Sequence, residues 1–163
     1  MVRQRKKISI DHRFMPDKTE FIQDFDFITS NSFKSEKDMC QFVFRKIEPF
    51  IADYYSDKVI SKKKESKIFY SGGKIDIFVE GKRQNYIIEC KNHRDGVVRS
   101  SGIDQLLAYG VEFFNAKKPH KLILIDNCLF FSISEAIHCY NLPIDYYFVD
   151  RTRFCCVITS EKK

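Results

Sequence analysis

The stretch that most constrains this chain is Ser71–Asn92, SGGKIDIFVEGKRQNYIIECKN. A Gly72-Gly73 break precedes two apolar, β-branched runs joined by a short polar turn at Glu80–Gln84. Such runs are buried strands paired as a hairpin, so the chain is organised around a sheet. Three charged residues interrupt the pattern: Asp76 in the first run, then Glu89 and Lys91 in the second. Alternation along a strand sets Ile87, Glu89 and Lys91 on one face and Tyr86, Ile88 and Cys90 on the other. Glu89 and Lys91 then project the same way, roughly 6–7 Å apart along the strand. Hairpin pairing can bring Asp76 alongside Glu89.

Burying two carboxylates and an ammonium costs several kcal/mol per ion unless they are paired or hold a metal. Two close carboxylates also repel unless a proton or a cation lies between them. A hard divalent cation such as Mg²⁺ suits oxygen donors of this kind and keeps several waters for chemistry. Lys91 can then orient an attacking water or stabilise charge on a phosphate. Taken alone, the Glu-x-Lys triplet is equally a structural ion pair on a half-exposed strand.

The 163 residues suffice for one domain with a proper core, and sixteen phenylalanines argue for a folded globule. Residues 1–32 read as a basic arm and packing extension, and residues 33–163 as the folded domain. Phe21, Ile22, Phe25, Phe27 and Ile28 fit helix and strand equally well. Ser35 caps a helix from Glu36 to about Tyr54, with Asp38 completing the cap and Pro49 kinking or shortening it. Glu36 stands three and seven residues before Met39 and Val43 and so shares their buried face; a first-turn acid is also favoured there by the helix dipole. Lys58–Lys64 reads as a short strand ending in a basic turn, and Lys67–Tyr70 as the start of the next. HRDGVVRSS, after Asn92, is a polar loop beside the charged trio. Ser100 or Ser101 caps a second helix, Gly102–Asn115, whose stripe of Ile103, Leu106, Leu107, Gly110, Val111 and Phe114 faces the sheet. Gln105 and Tyr109 lie one turn apart on a neighbouring face. Lys121–Asp126 is an unbroken buried strand reached by a helical crossover, hence parallel to a central one. Ser132–Asn141 is a short helix capped by Ser132 or Ser134, with His138 on its surface, and Asp145–Asp150 pairs with Phe154–Thr159. The succession is α/β.

The formal charge of +6 suits a polyanionic partner. Basic residues cluster at Arg3–Lys7, Lys62–Lys64, Lys82-Arg83, His93-Arg94 and Lys117-Lys118, where they either grip phosphates or solvate loops. Six cysteines without CxxC spacing read as core residues kept reduced, not as a zinc or iron–sulfur site. The N-terminus lacks the apolar core of a signal peptide and no apolar run approaches membrane-spanning length, which points to a cytoplasmic or intraparticle protein.

Asp76, twelve intervening residues and Glu89-Cys90-Lys91 resemble the D…(D/E)-x-K signature of the PD-(D/E)XK nucleases, although Ile75 stands where the proline of that name would be. Gln105-x-x-x-Tyr109, fourteen residues past Lys91, is similar to the Q-x-x-x-Y motif of RecB-like members. The segment IDQLLAYGVEFFNAKKPHKLILIDN resembles the one that comes after Glu-x-Lys in type I restriction R subunits and in archaeal mismatch endonucleases. The resemblance spans about residues 36–126. It implies a restriction-endonuclease-like αβββαβ core, a mixed sheet flanked by helices, and Mg²⁺- or Mn²⁺-dependent hydrolysis of DNA by a metal-activated water, with RNA as the other substrate. In that scheme Asp76, Glu89 and the Cys90 backbone carbonyl bind the ion, and Glu36 reaches it through water. Lys91 positions the nucleophile, Gln105 assists it, and Tyr109 helps hold the scissile strand. Lys82, Arg83, His93, Arg94 and Arg99 are the candidate nucleic-acid contacts, and a homodimer is expected from the resemblance alone. A module of the same fold that grips nucleic acid or a partner without cutting is the alternative.

Overall fold

The computed structural model describes residues 22–24, 27–30, 32–67, 73–93, 101–114 and 116–160. In chain order the elements are β1 (Ile22–Asp24), β2 (Phe27–Thr29), α1 (Glu36–Tyr55), β3 (Val59–Lys67), β4 (Lys74–Gly81), β5 (Asn85–Lys91), α2 (Ile103–Glu112), β6 (His120–Asp126), β7 (Cys128–Phe130), α3 (Phe131–Cys139), β8 (Ile144–Val149) and β9 (Phe154–Ile158). A six-stranded sheet runs β3-β4-β5-β6-β8-β9, and a small sheet runs β1-β2-β7. Pairing is antiparallel from β3 to β5, parallel through β5, β6 and β8, and antiparallel again at β9. The protein is therefore α/β with a mixed sheet. The ambiguous stretch before Ser32 resolves into two strands, and β2 pairs with β7. Residues 1–21, part of the stretch expected as a basic arm and packing extension, lie outside the described residues. No described helix is long and apolar enough to cross a membrane.

Helices cover both faces, which is why β5, β6 and β8 read as continuous apolar runs. On one face α1 contributes Met39, Val43, Ile47 and Ile51, packed with Ile77, Val79, Ile88, Cys90, Ile123 and Ile125. On the other, Leu106 and Tyr109 of α2 and Ile133 and Ile137 of α3 pack with Ile87, Leu122 and Leu124. All six cysteines are free thiols, and Cys90, Cys128 and Cys155 are buried.

Several local expectations change. Ser35 does cap α1, its hydroxyl accepting the Asp38 N–H at 3.1 Å, but Pro49 neither ends nor shortens the helix. Pro49 and Arg45 lie on the exposed side, where water can take the carbonyl left without a donor. The basic run at Lys62–Lys64 does not turn; β3 continues to Lys67 and β4 begins only at Lys74. The cap position of α2 is Gly102, at φ 76°, and just ahead of it the Ser101 hydroxyl accepts the Ile103 N–H at 3.3 Å, while Ser100 lies outside the described residues. At α3 the cap position is Phe130, with no side-chain cap bond. Helix α2 stops at Glu112; Val111 within it and Phe114 beyond its end are both exposed instead of packed on the sheet.

At the hairpin turn, Asp57 organises the join between α1, β4 and β5. Its carboxylate accepts N–H bonds from Lys58, Arg83 and Gln84 and the hydroxyl of buried Tyr86 at 2.9 Å. Gly81 fits over it because a Cβ there would come within 2.4 Å of Asp57 Oδ2. Burial works to raise the Asp57 pKa, but the bonds from Lys58, Tyr86, Arg83 and Gln84 outweigh it and hold it below the ordinary value. A depressed acid contributes stability above its unfolded pKa, near pH 4, and loses it as pH falls through the folded value. Asp57→Asn should therefore be less stable than the unaltered protein at pH 7. Urea midpoints taken downward to pH 3 should converge, and a constant difference would assign the loss to packing.

Candidate functional site

The site lies at the other end of the hairpin, where β4 and β5 part. Their ladder runs from Glu80↔Asn85 to Ile77↔Ile88 and stops one rung short of Asp76 and Glu89, although both strands continue. In place of a strand carbonyl, Asp76 Oδ2 accepts the Cys90 N–H at 2.9 Å. The Cys90 carbonyl, on the same edge of β5 as its N–H, faces that side as well. The expected neighbourhood of Asp76 and Glu89 is thus realised with a difference: the first carboxylate occupies the gap between strands, and the second projects from the α2 face.

Glu89 and Lys91 project together, with Lys91 Nζ 2.7 Å from Glu89 Oε1. The Glu89 side chain is only 3% exposed, and its second oxygen, Oε2, is buried with no hydrogen-bond partner among the described residues. Burial raises the Glu89 carboxyl to about 7, Asp76 and Glu36 add to the shift, and Lys91 opposes it. Burial likewise raises Asp76, against the Cys90 N–H bond and Lys91, with Glu36 and Glu65 adding. For Lys91 burial works to lower the pKa, but Glu89, Glu36 and Asp76 together raise it. These groups form one electrostatic unit.

Helix α2 closes over this unit. A Cβ at Gly102 would stand 3.0 Å from Leu124 Cδ1, 3.1 Å from Lys91 Cε and 3.2 Å from Glu89 Cγ, so only glycine permits the approach. Further along the helix, Gly110 sits against Leu122, where an added Cβ would be 3.0 Å from Cδ1. Burial raises the Tyr109 pKa, as do Glu89 and Asp76, while Lys91 and a hydrogen bond with Gln105 oppose them. Gln105 and Tyr109 are hydrogen-bonded to each other beside the acids. The Tyr109 hydroxyl, however, donates to the Lys74 carbonyl at 3.0 Å, fixing the start of β4. Glu36 does not share the buried face of α1; it is exposed and reaches the unit through its charge.

Among the described residues, the candidate nucleic-acid contacts do not converge here. Lys82 and Arg83 sit in the hairpin turn, roughly 20 Å along β5 from Lys91. Arg83 donates to the carbonyls of Tyr55 and Ser56 and pairs with Asp57 at 3.9 Å, so it closes the end of α1. His93 is near Lys91 but buried, with Nδ1 2.9 Å from Asp126 Oδ2. Arg94 and Arg99 lie outside the described residues. Two further acids belong to the neighbourhood without having been singled out by sequence. Asp126 ends a buried strand opposite Lys91 in register, and burial lifts its carboxyl to about 6 against the opposing His93 bond; an acid closing an apolar run at the carboxyl end of a parallel strand is its signal. Glu65, across from Asp76, carries no such signal, because the polar run around it hides the strand to which it belongs.

The donors fit a hard divalent cation: two carboxylates, one with a buried oxygen that has no partner among the described residues, beside a carbonyl edge. Mg²⁺ is commonly held by one or two carboxylates and water. Among the described residues no three of His, Cys, Asp or Glu form a ready-made cage. Comparison of the chain with protein-family models, with curated proteins and with solved structures finds no match in any of the three.

Asp76→Ala should cost about 1–3 kcal/mol by orphaning the Cys90 N–H, whereas Asp76→Asn keeps an acceptor and should unfold near the parent in urea. Equal losses in both variants would show that the charge itself holds β4 to β5. Gly102→Ala should lower stability by about 1–3 kcal/mol, because Leu124 and the Lys91 stem must move.

Proposed function

We propose that the protein is a metal-dependent deoxyribonuclease of the PD-(D/E)XK kind, built on a restriction-endonuclease-like core. The observation that carries this reading is the buried, half-satisfied Glu89 beside Asp76 and Lys91 where the two strands part. The order α1-β3-β4-β5-α2-β6 also agrees with the αβββαβ succession of that core. A carboxylate shielded from water with one empty oxygen is poorly placed for stability alone. It is well placed to receive a cation.

Asp76, Glu89 and the Cys90 carbonyl are the donors that would hold Mg²⁺ or Mn²⁺, with Glu36 reaching in from the end of α1. The ion, when bound, supplies Lewis-acid activation of water and neutralises charge on the phosphate. Lys91, held by Glu89, presents its ammonium to the attacking water and to the charge that develops on the phosphoryl oxygens. Gln105 assists at the same face, and Tyr109 keeps β4 in position through the Lys74 carbonyl.

The second reading, a nuclease-like module that binds without cutting, draws on the Lys91–Glu89 contact, which already neutralises the buried acid. Incubation with linear, circular, single-stranded and branched DNA, with and without Mn²⁺, separates the two. Cleavage should require Mn²⁺ or Mg²⁺ and stop with EDTA. It should be lost in Glu89→Ala and fall about 10²–10³-fold in Lys91→Ala. At a hundredfold excess over its Kd, Mn²⁺ should stabilise the unaltered protein by ~2.7 kcal/mol and leave Glu89→Gln unmoved. Undiminished cleavage by both alanine variants refutes the assignment, and salt-sensitive DNA binding with no cutting establishes the second reading.

A further inference from the structure

The β3–β4 ribbon carries an unusual rung beside the acids. Lys67 and Lys74 are direct cross-strand partners, and both are exposed. Like charges placed opposite each other destabilise a sheet, and such pairs are ordinarily relieved by a neighbouring acid. Elsewhere on β3 the lysines have partners: Lys62 pairs with Glu48 at 2.9 Å, Lys64 donates to the neutral Gln41 amide oxygen, and both ammoniums lie over the Phe44 ring. Among the described residues Lys67 and Lys74 have no such ion-pair partner.

Their position is equally specific. Lys74 precedes Asp76 by two residues, roughly 6–7 Å along the strand, and its carbonyl is held by the Tyr109 hydroxyl. Between the lysine rung and the regular ladder, the register skips the pairing of Glu65 with Asp76 without slipping. Glu65 sits there at φ 50°, a left-handed conformation rare for a side chain of its size. Across the same point β4 turns over: Ile77 packs in the α1-side core and Ile75 in the α2-side core. A locally strained ribbon thus carries two unrelieved ammoniums one step from a group of acids. Acids repel a phosphodiester, so a strand entering the site needs cations close by to hold it.

We propose that Lys67 and Lys74 form a phosphate-binding pair that seats the phosphodiester adjacent to the scissile one in a DNA strand. This rests on the nuclease reading and adds to it the course of the substrate, which enters across the free edge of β3. The pair replaces counterions on one phosphate, a sequence-independent contact that weakens with salt.

The test is fluorescence anisotropy of a labelled single-stranded DNA and a DNA hairpin in EDTA, where no cutting occurs, over 50–200 mM KCl. Lys67→Gln/Lys74→Gln should bind about tenfold more weakly at the low-salt end, and its salt slope should fall by about one. The protein alone should melt about 1–3 °C higher as the repulsion is removed. Lys67→Arg/Lys74→Arg should retain binding, and Lys117→Gln, at the opposite end of the sheet, should match the parent. The Mn²⁺-dependent thermal shift should persist in every lysine variant. Unchanged affinity and slope in the glutamine double variant, with the Mn²⁺ shift and cleavage intact, overturns the pair and leaves the nuclease reading standing. Absence of DNA binding by the unaltered protein overturns both.

Discussion

At the end of β5, one backbone N–H has left the sheet for a side chain, and the geometry of the charged unit depends on that exchange. The Asp76 carboxylate takes the bond that a β4 carbonyl would otherwise accept from Cys90. The two strands can then separate without leaving a buried donor unpaired, a defect that would cost roughly 1–3 kcal/mol. Their parting lets an acid sit between strands while Glu89 and Lys91 project from the neighbouring face. An unbroken ladder would have directed all these side chains above or below the pleat, with no room in the plane of the sheet for polar atoms.

The hairpin is anchored differently at its two ends. At the turn, Asp57 has hydrogen-bond donors at both oxygens, and Gly81 fits tightly against it. At the open end, Glu89 is satisfied on one oxygen only, and closure of α2 depends on a glycine at its cap. The turn thus secures the scaffold, while unmet hydrogen-bonding capacity collects where the strands part. Such an imbalance is what a functional site looks like in physical terms, since stability there is traded for reactivity.

Much of this is legible in the sequence, for reasons that can be assigned. Strand period places Glu89 and Lys91 on one face, and the crossover rule makes β6 parallel to β5. Helical spacing sets Gln105 beside Tyr109. The features that escape depend on contacts between distant segments. Nothing local marks Arg83 as the closure of α1, because its partners Tyr55, Ser56 and Asp57 lie far back in the chain. His93 has the look of a loop histidine until β6 brings Asp126 against it. The reach of β3 is hidden because four polar residues, Lys63–Ser66, mask a strand that is stabilised mainly by pairing with β4. Helix α2 ends at Glu112, ahead of Phe114, and no apolar stripe specifies that end.

Among the described residues the sheet has two open margins, β3 and β9, and they differ in character. A long strand with one unpaired row of amides is a template onto which a second chain can add. Along β3 the lysines at 62, 63, 64 and 67, the bulge near Ser61 and the twist at Glu65 all discourage such addition. Shorter β9 is only five residues long and offers less purchase. The charge-rich margin therefore guards against self-association into filaments, and this guard, present from the moment the strand forms, operates whether or not any ligand is near.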